Sequence, residues 1–106
     1  MPKYLVQVSY TADGVKGLAK DGGSKRRAAA STLVQSLGGK LESLYYAFGD
    51  TDVFAIADLP DNVAAAAGSI ALAGSGAVTS KVTVLLTPEE IDQAVNKSGS
   101  YTPPGR

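Results

Sequence analysis

The sequence predicts a single α+β domain, because strand patterns and helix patterns follow each other in a fixed order. Apolar residues alternate with polar ones in four segments, and two longer segments carry apolar stripes at helical spacing. The predicted strands cover residues 3–10, 40–47, 52–58 and 78–86, and the main helices cover residues 25–37 and 61–73. This β-α-β-β-α-β order suits a four-stranded antiparallel sheet with both helices on one face, which is the ferredoxin-like arrangement.

The first half of the chain supports this order. Tyr4, Val6, Val8 and Tyr10 alternate with more polar neighbours, as in a strand with one strongly apolar face. A short helix is expected over residues 15–19, where apolar residues recur at helical spacing before two glycines interrupt it. The next helix is predicted to have Ser24 as its N-cap. Two glycines, Gly38 and Gly39, supply its stop.

Strands two and three are close enough in sequence to form an antiparallel hairpin around a tight turn at residues 48–52. Gly49 is the residue expected to adopt positive φ in this turn. Beyond the hairpin, Asp61 or Asn62 caps an alanine-rich helix. Later, Thr87-Pro88-Glu89-Glu90 reads as a capping box that starts an extra C-terminal helix to about residue 97. We therefore expect one domain over residues 1–97 and a flexible tail over 98–106.

Both faces of the predicted sheet carry apolar side chains, whereas two helices cover only one face. The opposed sets are Val6 and Val8 against Leu5, Leu44 and Tyr46 against Leu41 and Tyr45, Phe54 and Ile56 against Val53 and Ala55, and Val82 and Val84 against Leu85. An apolar sheet face left in water exceeds what soluble monomers usually expose. The pattern therefore predicts a homodimer, or a higher homo-oligomer, with sheets packed face to face.

Composition excludes several classes of function. The chain has no Cys and no His, so one chain offers no disulfide, no thiolate nucleophile, no zinc site with nitrogen or sulfur ligands and no Ser-His-Asp triad. Ten basic residues balance ten acidic ones, which argues against binding to nucleic acid or an anionic membrane. No apolar tract is hydrophobic enough to span a bilayer. We expect a cytoplasmic protein without a metal or other cofactor.

The segments from Ser9 to Asp61 and from Thr79 to Asp92 resemble the GYD domain family, small proteins placed among the dimeric alpha-beta barrels. The family signature is a Gly-Tyr-Asp motif with one residue between Gly and Tyr. Gly49 and Asp52 match this motif, with Asp50 between them and Thr51 in the place of Tyr. The resemblance implies a ferredoxin-like dimeric barrel and no particular activity. If the family Tyr acts as an acid, Thr51 is only a weak hydrogen-bonding substitute for it.

Several side chains are candidates for a ligand site or a catalytic site. Asp52 is expected either to accept backbone N–H groups of its own turn or to face a pocket as a general base. Tyr10 and Tyr46 share their strand faces with apolar residues beneath the helices, so they are the aromatic pocket candidates. Lys16 and Arg27 are candidates to hold an anionic group. Basic residues at the start of a helix oppose its dipole, unless an anion lies close.

Three classes of function remain. The preferred hypothesis is a self-associating module that binds a small molecule or serves assembly. The second is a cofactor-independent enzyme on a small aromatic or carbonyl compound, with Tyr10 or Tyr46 positioning it, Asp52 as base and Arg27 holding an anionic group. The third is a small accessory subunit or regulator of a larger complex. Fold analogy cannot decide among them.

Overall fold

The computed structural model describes all 106 residues and confirms the α+β class. The elements are β1 (Lys3–Tyr10), α1 (Ala12–Asp21), α2 (Gly23–Ser36), β2 (Lys40–Tyr46), β3 (Val53–Asp58), α3 (Asn62–Gly74), β4 (Val78–Leu85) and α4 (Pro88–Asn96). The four strands form one sheet in the order β2-β3-β1-β4, and every neighbouring pair is antiparallel. This order is consistent with the predicted ferredoxin-like fold, with α4 as the extra C-terminal helix.

Helices α2 and α3 cover one face of the sheet, on which Tyr4, Val6, Val8 and Tyr10 lie. The tightest part of the core is a cluster of Tyr4, Ala57, Leu59 and Ala65. The Tyr4 ring is only 1% exposed, and its hydroxyl donates to Asn62 Oδ1 at 2.6 Å. A buried tyrosine hydroxyl needs such a partner. The contact ties the central strand to the start of α3.

The opposite face of the sheet is not covered by any helix, and we call it the open face. On this face, Leu5 and Gln7 of β1 lie opposite Ile56 and Phe54 of β3. On the other side of β3, Tyr45 of β2 lies opposite Phe54. Tyr45 is 73% exposed and Phe54 39% exposed. Apolar side chains from three adjacent strands therefore form one patch at the centre of this face.

A bulge in β2 makes one part of the predicted face assignment wrong. Pairing passes from Leu41 opposite Ala57 to Ser43 opposite Ile56, so Glu42 is an extra residue in its strand. The bulge places Leu41 on the same face as Leu44, beneath the helices, and not on the open face. Glu42 instead accepts a hydrogen bond from Lys3 at 3.0 Å.

The helix ends confirm two predicted caps and correct a third. Asp61 caps α3 by accepting from Ala64 N at 2.9 Å, and Thr87 forms the capping box of α4. Ser24 is not an N-cap, because α2 begins at Gly23, two residues earlier than predicted, and Gly22, with φ of 83°, stands at its cap. Helix α1 extends from residue 12 to residue 21, further than its apolar spacing predicted, and Thr11 caps it.

Helix α4 stands apart from the rest of the molecule. It has almost no contact with the sheet or with the other helices, and its Ile91 and Val95 side chains are exposed. The molecule measures 57 × 33 × 22 Å with a radius of gyration of 16.8 Å, whereas a compact chain of this length has about 13 Å. None of the four helices is both long enough and apolar enough to cross a lipid bilayer.

Candidate functional site

A cavity of about 200 Å³ lies between the covered sheet face and helices α2 and α3. Of the 22 residues around it, 19 are hydrophobic. The sheet side contributes Val6, Val8, Tyr10, Leu41, Leu44, Tyr46, Val53, Ala55, Ala57, Leu59, Val78 and Val82, and the helix side contributes Arg26, Ala29, Ala30, Leu33, Val34, Leu37, Ala65, Gly68, Ser69 and Leu72. We refer to this space as the apolar cavity.

The apolar cavity exists because small residues occupy both of its walls. Ala29 and Ala30 on α2 and Gly68 on α3 face Ala55 and Ala57 on the central part of the sheet. Because these side chains are small, they leave much of the space between the helices and the sheet unfilled. Only eight residues of the whole chain are buried. Unfilled apolar cavities of this size stay dry and take up apolar molecules.

One end of the apolar cavity is polar. The hydroxyl of Tyr46 donates to the carbonyl oxygen of Gly23 at 2.9 Å, which fixes the ring against the start of α2. Arg26, from the first turn of α2, also lines this end, and its Nη1 atom lies 3.5 Å from Asp21 Oδ2. The Arg26 side chain is 43% exposed, so its guanidinium contacts both the cavity and solvent.

Tyr10 belongs to the same polar end. Burial raises the pKa of the Tyr10 hydroxyl, the neighbouring Tyr46 raises it further, and the positive charge of Arg26 opposes the shift. The hydroxyl keeps its proton at neutral pH, as an ordinary tyrosine does, and a hydrogen bond with Tyr46 also favours the protonated form. This state suits binding of an acceptor group and does not suit proton abstraction by Tyr10.

A second, more open depression adjoins this end of the cavity. It shares five residues with the cavity and adds the carboxylates of Asp13 and Asp21. The shared residues are Tyr10, Arg26, Leu33, Leu72 and Val78. The depression lies among α1, α2 and the end of α3, so the polar end is the side from which the cavity meets the surface.

The predicted anion-binding residues do not lie at this end. Lys16 and Arg27 are exposed and line neither the cavity nor the depression, whereas Arg26 lines both. Helical spacing distinguishes Arg26 from Arg27. Arg26 precedes Ala30 by four residues and Leu33 by seven, so the three side chains lie on the same face of α2. Arg26, and not Arg27, is therefore the arginine that lies at the polar end of the cavity.

Asp52 has a structural contact that the sequence argument did not predict. Its Oδ2 atom accepts the backbone N–H of Tyr10 at 2.8 Å, and its own N–H donates to the carbonyl of Val8 at 2.8 Å. The carboxylate thus fastens the hairpin to the end of β1 and does not cap its own turn. Asp52 does not line the apolar cavity. Gly49 has the positive φ expected of it, at 110°.

Replacing Asp52 with alanine is expected to destabilise the fold by about 1.5 to 3 kcal/mol, the usual contribution of a hydrogen bond to a charged group. The variant leaves the Tyr10 N–H without its acceptor. Urea denaturation measures the loss. Asp50 is the matched control, because only its backbone carbonyl is bonded, to Ser9 Oγ, and its side chain is exposed. Equal stability of the Asp52→Ala and Asp50→Ala variants would contradict the structural role of Asp52.

The acidic residues of the turn do not form a wider cluster. No three Asp or Glu side chains anywhere in the chain converge on one point where a metal ion could be held. Asp50 and Thr51 remain turn residues beside the end of β1.

Comparison with known families agrees with the fold and the hairpin. The model of the GYD domain family matches residues 4–95, which covers all four strands except Lys3, the first residue of β1, and most of α4. The chain belongs to the GYD domain family. Comparisons with curated proteins and with solved structures gave no match. The GYD match covers both walls of the apolar cavity, so the cavity belongs to the family domain and not to a separate extension.

Proposed function

We propose that this GYD domain protein is a self-associating module that binds a small, mainly apolar molecule. The apolar cavity is the observation that carries the proposal. A space of about 200 Å³ with 19 hydrophobic residues among its 22 neighbours has the composition of a ligand pocket. Arg26 and the hydroxyls of Tyr10 and Tyr46 lie at one end, where they would orient a ligand.

The geometry favours binding over catalysis. Asp52, the candidate general base, is engaged with the Tyr10 N–H and is absent from the cavity wall. No carboxylate lines the cavity, and the hydroxyl of Tyr10 is protonated at neutral pH. The enzyme hypothesis therefore lacks a base beside the bound molecule.

Self-association is supported by the open face. Tyr45, Phe54 and Ile56 are apolar members of this face, and Leu5 completes the patch on β1. A second copy of the chain, related by a two-fold axis, would cover the patch with an identical patch. Charged residues frame the patch at one end, where Lys3 bonds Glu42 and Asp58 at 3.0 Å each. A polar rim around an apolar centre is typical of protein interfaces.

A test of the apolar cavity uses benzene as the probe and a variant that fills the space. Benzene is expected to raise the melting temperature of the wild-type protein, because a ligand that binds only the folded state stabilises it. Ala30→Leu places extra methyl groups in the cavity and should abolish this increase. Ala28→Leu is the matched control, since Ala28 is exposed on the same helix and does not line the cavity.

Two results would contradict the proposal. One is a wild-type protein whose melting temperature and NMR spectrum do not respond to benzene at saturation. The other is a response that survives in Ala30→Leu, which would place the binding outside the cavity.

A further inference from the structure

We propose that the apolar cavity prefers a monocyclic aromatic carboxylate, with its ring among the aliphatic side chains and its carboxylate at Arg26 and Tyr10. This inference rests on the proposed binding function and adds the chemical class of the ligand. It depends on three observations, namely the volume of the cavity, the type of polar group at its end and the unused donors of Arg26.

The volume sets the size of the apolar part. An apolar protein cavity of about 150 Å³ accommodates one benzene molecule. The cavity here has about 200 Å³, which leaves room for a short substituent beside one ring but not for a second ring. The walls at its centre are aliphatic, from Val6, Val8 and Leu33 among others. A single ring is therefore the largest rigid apolar group that the space fits.

The polar groups at the end of the cavity select an acceptor. Arg26 is the only ionisable acid or base other than tyrosine on the cavity wall, and it is a pure donor. The hydroxyl of Tyr10 retains its proton at neutral pH, since the ordinary pKa of tyrosine is 10.0 and burial raises it further. Tyr46 already donates its hydrogen to Gly23 O. The carboxylates nearest this end, Asp13 and Asp21, line the adjoining depression and not the cavity wall, and Asp21 is already paired with Arg26 and Lys25. The wall itself therefore offers donors to a ligand carboxylate and no anionic partner to an ammonium group.

Arg26 has donors left over for such a ligand. A guanidinium carries five N–H donors, and the recorded partner of Arg26 is Asp21, 3.5 Å from Nη1. Asp21 is also shared with Lys25, 3.7 Å away, so one carboxylate faces two cations. The Lys25 side chain is 74% exposed and lies in solvent, whereas Arg26 also lines the cavity. A ligand carboxylate at the point where the cavity ends would accept from the N–H donors of Arg26 that Asp21 leaves free.

The test compares phenylacetate with its neutral analogue phenylacetamide by NMR titration of the isotope-labelled protein. Phenylacetate is expected to bind wild-type protein about tenfold more tightly, the preference that one hydrogen bond to a charged group provides. Arg26→Gln should remove the preference and leave benzene binding in place, which shows that the variant is folded. Lys25→Gln is the matched control, because Lys25 contacts the same Asp21 but does not line the cavity. It should retain the preference.

The outcomes separate this inference from the proposed function. Equal binding of the two compounds to the wild-type protein would overturn the preference for a carboxylate, while binding in the cavity would still stand. A preference that survives Arg26→Gln would also overturn it, because another cation would then hold the ligand. Failure of benzene, phenylacetate and phenylacetamide alike would overturn the proposed function itself.

Discussion

Replacing Phe54 with aspartate is expected to halve the mass of the protein in solution, from a dimer to a single chain of 10.8 kDa. Phe54 lies at the centre of the open face, beside Tyr45 and opposite Gln7. In the proposed dimer the new carboxylate would be buried against an apolar patch and would face its own symmetry copy, which costs several kcal/mol. Light scattering after size-exclusion chromatography measures the mass, and Leu5→Asp should have the same effect.

Val63→Asp is the control for this experiment. Val63 is 77% exposed on α3, so the substitution introduces the same charge on an apolar surface at the opposite side of the molecule. It should leave the mass unchanged. A protein that remains a dimer with Phe54→Asp but dissociates with Val63→Asp would show that α3, and not the open face, forms the interface.

Replacing Gly14 with alanine is expected to lower the free energy of unfolding by about 3 kcal/mol, as overpacking of a buried site does. A Cβ atom at Gly14 would collide with the carbonyl oxygen of Ala77 and would come within 2.9 Å of the Tyr10 ring. That same carbonyl accepts the N–H of Thr11 at 2.9 Å, so the start of α1 cannot move away without losing this bond. Urea denaturation measures the change.

Gly17→Ala provides the control within the same helix. A Cβ atom at Gly17 would meet no atom within 4 Å, so the alanine only reduces the freedom of the unfolded chain and should stabilise the protein by about 0.5 to 1 kcal/mol. Opposite signs for two substitutions one turn apart would confirm the close contact between α1 and Ala77. Similar effects of both would contradict it.

Much of the fold could be predicted because local signals agree along the chain. Three kinds of feature depend only on neighbouring residues and can therefore be predicted from the sequence. They are the alternation of residues in the strands, helix caps such as Asp61 and Thr87, and the hairpin turn with Gly49. The bulge at Glu42 was missed because alternation was counted without interruption through KLESLYY. Leu41 and Leu44 are three residues apart but lie on the same face of the sheet, and this odd spacing is the sequence pattern that a bulge between them produces.

The site was less accessible to sequence reasoning. Tyr10 and Tyr46 could be placed together, since each strand face follows from its alternation. The cavity itself could not be predicted, because an unfilled volume depends on the distance between helices and sheet and not on any one residue. Asp52 was predicted to accept N–H groups of its own turn, but its actual donor is the N–H of Tyr10, which lies 42 residues away in sequence and therefore could not be identified.

Native mass spectrometry of the protein, purified without denaturation from the cells that make it, tests the central claim most directly. We expect two chains of 10.8 kDa each and one small additional mass per chain. Collisional release should yield that mass as a compound with a single aromatic ring. A dimer without additional mass, even after exposure to saturating phenylacetate, would contradict the binding function. A bare monomer would contradict both self-association and binding.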